Sequence, residues 1–96
     1  VNWTNFETEA VADMIRSDNS AQETIQGLIV GVIHGTVDEH TVAQSVSVWF
    51  CGMDDAGNLI VDEEYAEAFE LLKIDPGNID WLQLARWQIA KAHERN

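Results

Sequence analysis

Apolar residues recur at helical spacing in five stretches of the chain, and most stretches open on a recognisable start signal. Thr4-Asn5-Phe6-Glu7 has the form of a capping box, in which the Thr hydroxyl and the Glu carboxylate each satisfy the other's backbone amide. Phe6, Ala10, Met14 and Ile15 then share one face, and the polar run from Ser17 to Ser20 predicts that this helix ends near Ser17. Ser20-Ala21-Gln22-Glu23 repeats the box ahead of Ile25, Leu28, Ile29, Val32 and Ile33, which fall at i, i+3, i+4, i+7 and i+8.

The middle of the chain supports two readings. Gly27, Gly31 and Gly35 oppose a second helix, each internal glycine by ~1 kcal/mol relative to alanine, and the Ile and Val residues around them favour a strand from Leu28 to Val37. Agreement between the capping box and the periodicity favours the helix; the glycines then mark close helix–helix approach. Asp38 can cap a third helix, with Val37 and Val42 placed as a hydrophobic staple and Val42, Val46, Trp49, Phe50 and Met53 on its apolar side. Yet Ser45 to Phe50 also alternates and is rich in strand formers, and the segment Asp54–Val61 suits the turn of a hairpin.

The last third is clearer. Asp62, Glu63 and Glu64 suit the positive N-terminal end of a helix, whose apolar side is Tyr65, Ala66, Ala68, Phe69, Leu71 and Leu72. Asp75-Pro76 reads as a cap followed by proline at the first helical position, with Ile74 and Ile79 as a second staple. From there to about His93, Ile79, Trp81, Leu82, Leu84, Ala85, Trp87, Ile89 and Ala90 wrap most of the circumference, which predicts a central helix or one with an apolar side for a partner. Residues 1–96 therefore form a single domain, expected to be all-α: a compact bundle of about five short helices joined by short loops. The alternative is α+β, with a central β-hairpin or meander at residues 28–61.

Composition supports a folded core, because 46% of the residues are hydrophobic and four are tryptophan. Charge changes the functional outlook. Seventeen Asp and Glu face five Lys and Arg, for a formal −12. Such a chain repels nucleic acid and anionic membrane and attracts basic protein surfaces or cations; acidity of this kind also serves solubility or salt adaptation. The imbalance is local. Residues 54–80 hold nine acids and Lys73, for −8, whereas residues 81–96 hold Arg86, Lys91 and Arg95 against Glu94, for +2. Within the acidic part, Glu63, Glu67 and Glu70 fall at i, i+4 and i+7, about 5–6 Å between neighbours, where like charges slightly disfavour a helix. With Glu64 they place four carboxylates over ~10 Å of helix, a density comparable to one nucleic-acid strand at about 3.4 Å per phosphate. Either this is a solvated helix face, or Asp54, Asp55, Glu63, Glu64, Glu67 and Glu70 present a negative strip to a partner.

Other chemistry is sparse. Asp54, Asn58, Ile60 or Val61, and Glu63 or Glu64 are similar to a calcium-binding helix–loop–helix, but the glycine and the bidentate glutamate are out of register: counted from Asp54, the sixth residue is Leu59 and the twelfth Tyr65. His34 and His40 straddle a turn without metal-ligand spacing, and His93, with Lys91 and Arg95, suits the end of the last helix. Cys51, the sole cysteine, sits among Trp49, Phe50 and Met53 and reads as a buried, unreactive thiol. No nucleophile–base–acid constellation or phosphate loop appears, so neither an enzyme nor a cofactor or metal is expected. The apolar run Gly27–Ile33 is too short to span a bilayer, no segment reads as a signal peptide, and a cytoplasmic setting is expected. The leading functional expectation is an acidic protein that binds a basic partner surface, in its pointed form a nucleic-acid-mimicking inhibitor of phage or mobile-element type. The alternatives are an oligomeric accessory protein, associating through the apolar faces of its second, third and fifth helices, and a degenerate calcium-binding module.

Overall fold

The computed structural model describes residues 2–95, Arg95 by its backbone alone. Among these residues lie five helices: α1 (Phe6–Ser17), α2 (Asn19–Ile33), α3 (Glu39–Phe50), α4 (Glu63–Leu72) and α5 (Trp81–Arg95). A two-stranded antiparallel hairpin, β1 (Cys51–Met53) with β2 (Leu59–Val61), separates α3 from α4 in a register that pairs Cys51 with Val61, Gly52 with Ile60 and Met53 with Leu59. The expected helical bundle is thus present, and the hairpin of the α+β alternative occupies only residues 51–61; residues 28–33 and 39–50 are helical. No helix among the described residues is long and apolar enough to cross a membrane.

Helix starts follow the better acceptor rather than the capping boxes. Asn5, not Thr4, caps α1: its Oδ1 accepts from the Thr8 amide at 2.9 Å and the Thr8 hydroxyl at 2.7 Å. Thr4 is engaged elsewhere, with its hydroxyl 2.8 Å from Asp80 and 2.9 Å from Gln83. The buried stripe of α1 is accordingly Thr8, Val11, Ala12 and Ile15, leaving Phe6 exposed and Ala10 and Met14 at the margin. A threonine leads this stripe, so hydropathy alone rotated the expected face. Similarly Asp18 caps α2, accepting from Ser20 and Ala21 at 2.9 and 3.1 Å, while Gln22 folds back to donate to the Ile15 and Arg16 carbonyls at the end of α1. One extended residue therefore separates two helices, because side chains satisfy both exposed ends.

In α2, Ile25 and Ile29 are buried, Leu28 and Val32 are partly so, and Ile33 is exposed. The glycines of α2 do not mark helix–helix contact. A Cβ on Gly31 would stand 2.5 Å from Val37 Cγ2, so the close approach is between the helix and its own trailing loop; a Cβ on Gly27 would meet nothing within 4 Å. The chain turns at Gly35, whose φ of 78° is the left-handed conformation glycine tolerates. The Thr36 and Val37 amides both return to the Gly31 carbonyl. Asp38 then caps α3 as expected, accepting from Thr41 at 2.8 Å. Val42, Val46 and Phe50 are buried at helical spacing, overriding the Ser/Val alternation, and Met53 falls on β1 and is exposed.

Two elements of the C-terminal third differ from expectation. Only Phe69 of the expected α4 apolar side is buried, and Leu71 and Leu72 are 75% and 51% exposed. Asp75-Pro76 caps a single 3-10 turn, Pro76–Asn78, and not α5, which begins five positions later with Asp80 accepting from the Gln83 amide at 3.0 Å. Glu7, buried in α1, accepts from the Asp75 amide at 2.8 Å ahead of the turn, and Thr8 Oγ1 accepts at 2.9 Å from the Asp80 amide, which a continuing helix would direct to the Pro76 carbonyl. α5 is central as expected. It packs mainly along α3, with Leu84, Ala85 and Trp87 buried. Phe50 anchors the other end of the core, with ring centroids 4.7 Å from Tyr65, 6.3 Å from Phe69 and 6.4 Å from Trp81.

The two α2 glycines should respond oppositely to alanine. Gly27→Ala is expected to stabilise by about 0.5–1 kcal/mol through helix propensity. Gly31→Ala is expected to destabilise despite the same propensity gain, with Gly31→Ala/Val37→Ala recovering much of the loss. Urea unfolding of the three variants checks this, and equal stabilisation by both alanines would contradict the contact.

Candidate functional site

The seventeen carboxylates divide by what they touch. Asp18, Asp38, Asp54, Asp75 and Asp80 accept backbone amides at helix starts or turns, and Glu7 accepts the Asp75 amide. Asp13 and Glu39 pair with Arg16 and Arg86, the only two ion pairs among the described residues. Arg16 and Lys91 also stand 4.9 and 4.8 Å from the Trp87 ring, so these cations serve the α1–α5 side of the molecule. The Arg95 side chain, which the sequence counted in the basic end, lies outside the described set.

By contrast, Asp55, Asp62, Glu63, Glu64, Glu67 and Glu70 are all exposed, and among the described residues none has an ion-pair or side-chain hydrogen-bond partner; the same holds for Glu9 of α1, Glu23 of α2 and Glu94 of α5, which lie apart from this group in the sequence. Five of these belong to the candidate strip. Glu63 and Glu64 occupy the first turn of α4, where the helix dipole favours negative charge; Glu67 and Glu70 continue along the same helix without that benefit. Asp54 differs from its neighbours. Its Oδ1 accepts from the Ala56 and Asn58 amides at 2.9 and 2.8 Å, closing the hairpin turn, and the Asn58 amide bond leads the effects that hold its carboxyl below the ordinary aspartate value. It is a structural member of the strip's edge.

The residues similar to a calcium loop are distributed over a tight turn, a strand and the first turn of α4. Among the described residues, no three His, Cys, Asp or Glu side chains come together around a point that could hold a metal. His34 caps the end of α2, His40 lies in the first turn of α3 and His93 near the end of α5, all exposed. Cys51 is buried beneath the start of the hairpin, and burial, helped by the Asp62 charge, pushes its thiol up to about 11.

Two features escaped the sequence reading. The first is a polar knot: the Trp49 indole N–H donates to the Tyr65 hydroxyl at 2.9 Å, which donates to Asp18 Oδ2 at 3.0 Å. It ties α3, α4 and the α1–α2 joint together. The Ala21 amide, then the Tyr65 hydroxyl, hold the Asp18 carboxyl below the ordinary aspartate value, while burial foremost, then the bond to Asp18, raises Tyr65. The second is a pair of adjoining depressions on the outer side of α3. One, about 750 Å³, includes Leu28, Val48, Trp49 and Asp62; the other, about 360 Å³, includes Val48, Met53 and Leu59, and both share Gln44. No single amphipathic period announces them, because their lining is shared among α2, α3 and the hairpin. A third cleft of about 650 Å³ lies beside the knot, lined by Ala10, Met14, Tyr65 and Leu72.

Comparison with protein-family models, with curated proteins and with solved structures finds no match to the chain.

Two measurements follow from this chemistry. Because Asp18 is depressed in the folded state, its contribution to stability is full above the unfolded value, ~3.9, and is lost as pH falls through the lower folded value. The stability advantage of the native chain over Asp18→Asn is therefore expected to be present at neutral pH and to vanish at acid pH. An advantage that grows on acidification would contradict the assignment. Cys51 should react with a thiol reagent at pH 8 at least about a hundredfold more slowly in the folded than in the unfolded protein, since both access and thiolate fraction are reduced. Comparable rates would show the thiol to be open.

Proposed function

We propose that this protein is a non-enzymatic binding module that occupies a basic surface of a partner protein. The observation that carries this reading is the uncompensated run of exposed carboxylates from Asp55 to Glu70, set in a fold that uses most of its other acids as caps, hydrogen-bond acceptors and ion pairs. A charged face that stabilised its own fold would contain cations at i±4; α4 contains none between Glu63 and Leu72, and like charges at that spacing cost a few tenths of a kcal/mol per pair. Glu63, Glu64, Glu67 and Glu70, with Asp55, are the proposed contacts, and Asp54 shapes the turn that presents Asp55. The spacing of these charges favours a partner surface built for phosphates. In its pointed form the protein is therefore an inhibitor that competes with nucleic acid for a nucleic-acid-binding protein, of the kind phages and mobile elements direct at host machinery. We place it in the cytoplasm, where a single thiol stays reduced.

For the oligomeric alternative, exposed apolar residues lie on α2, α3 and β1, and the fifth-helix tryptophans that the sequence also suggested are turned into the chain. Trp87 is buried and Trp81 partly buried within the chain, whereas Val30, Ile33, Val48 and Met53 are exposed. Mutual repulsion between chains of −12 opposes self-association at low ionic strength.

The test is capture of nucleic-acid-binding proteins by the immobilised chain at low salt, with release by salt and by duplex DNA. Glu64→Lys/Glu67→Lys/Glu70→Lys is expected to weaken capture about tenfold or more without loss of helical circular dichroism, since all three side chains are solvated. Capture that persists near ~1 M salt, where the screening length is ~3 Å, would sink the proposal, as would full retention by the triple variant.

A further inference from the structure

The adjoining depressions beside α3 add an apolar site to the acidic one. Val48 forms part of both and is 64% exposed, and Met53 in the second is 71% exposed. Both are apolar side chains that the fold itself leaves uncovered. Around them the lining is apolar or uncharged except for Asp62, and among the described residues no lysine or arginine contributes to either depression. The acidic segment begins at this border: Asp54 directly follows Met53, and Glu63 directly follows Asp62. Groove lining and acidic residues are thus covalently adjacent at two points, where β1 leads into the hairpin turn and where Asp62 leads into α4.

Resting on the binding reading above, we propose that this groove receives the apolar face of a lysine- or arginine-rich amphipathic helix of the partner protein. Charge complementarity selects that occupant. A second copy of this chain brings the same −12 to the contact, and nucleic acid and anionic lipid meet the same repulsion. A basic helix instead gains twice: its apolar side chains cover Leu28, Val48, Trp49 and Met53, and its cations reach the free carboxylates of Asp62 and Glu63. A groove formed by two helices and a hairpin suits this mode, in which residues at i, i+3, i+4 and i+7 of the incoming helix anchor in apolar pockets. Gln44 in both depressions and Ser45 in the larger one offer polar contacts at the margin without opposing charge.

The probe is a short helical peptide of leucine and lysine arranged with one apolar face, compared with an analogue of equal charge in which glutamine replaces leucine. Both are titrated calorimetrically into the full chain, with the Trp49 indole followed by nuclear magnetic resonance. The amphipathic peptide is expected to bind about tenfold or more tightly than its polar analogue and to shift the Trp49 indole. Val48→Ser and Met53→Ser alter exposed side chains and are each expected to abolish most of that preference while leaving the affinity for the polar analogue unchanged. The triple α4 lysine variant should weaken both peptides. Equal binding of the two peptides to the native chain would overturn the groove and leave the acidic reading standing, whereas failure of both peptides to bind would remove both. Survival of the preference in the two serine variants would overturn the groove. So would a native dimer in sedimentation that Val48→Ser converts to monomer, since the groove would then be a seam between copies.

Discussion

Carboxylates outnumber cations by more than three to one in this chain, so ion pairing cannot compensate most of them. The fold resolves the excess by placing backbone amides against carboxylate oxygens. Every helix except α4 begins on an acid or amide side chain that accepts from the backbone, and the hairpin turn and the 3-10 turn do the same. Each such bond satisfies an orphan N–H and lowers the energy of the charge it meets. The structure is therefore punctuated by its acids. Among the described residues, the acids left outside this punctuation include Glu9, Glu23 and Glu94 on other helices, but only on the hairpin turn and at the start and along α4 do they follow one another closely, from Asp55 to Glu70.

That logic was partly legible in the sequence. Asp38 announced α3 because its competitors were weak and its target, Thr41, lay three residues on. The i, i+4, i+7 acids of α4 were equally plain, because helical spacing and exposure both follow from local pattern. Thr4 and Ser20 misled for the opposite reason. A capping box is a local motif, yet Thr4 is claimed by Asp80 and Gln83, far along the chain, and Ser20 loses to Asp18, a stronger acceptor two residues earlier. Nothing local distinguished Asp54 from Asp55 either; only the closed hairpin shows that one carboxylate is occupied and the other free. The groove was out of reach for a related reason, since its lining comes from three elements whose arrangement the sequence pattern does not encode.

The polar knot shows how a small core keeps its elements aligned. Phe50 contacts three other rings, which fixes distance but tolerates rotation. The directional bonds from Trp49 through Tyr65 to Asp18 remove that freedom, and they use the same carboxylate that starts α2. A single aspartate thus sets a helix boundary and the orientation of α4 relative to it. Through α4, it also sets the direction in which the free glutamates point.

The bonds joining α1 to the segment around the 3-10 turn have a further consequence, for the order in which the molecule can assemble. Asn5 to Asn78, Glu7 to Asp75 and Thr8 to Asp80 each bridge sequence separations of 68 to 73 residues. Such closure costs chain entropy before it returns any contact, although the cost rises only about 0.6 kcal/mol for each doubling of loop length. The α3–hairpin unit, by contrast, is built from near neighbours. The first helix is in this sense a clasp: it cannot hold until both halves of its catch exist, and the catch at Asp75–Asp80 is separated from it by all the intervening elements.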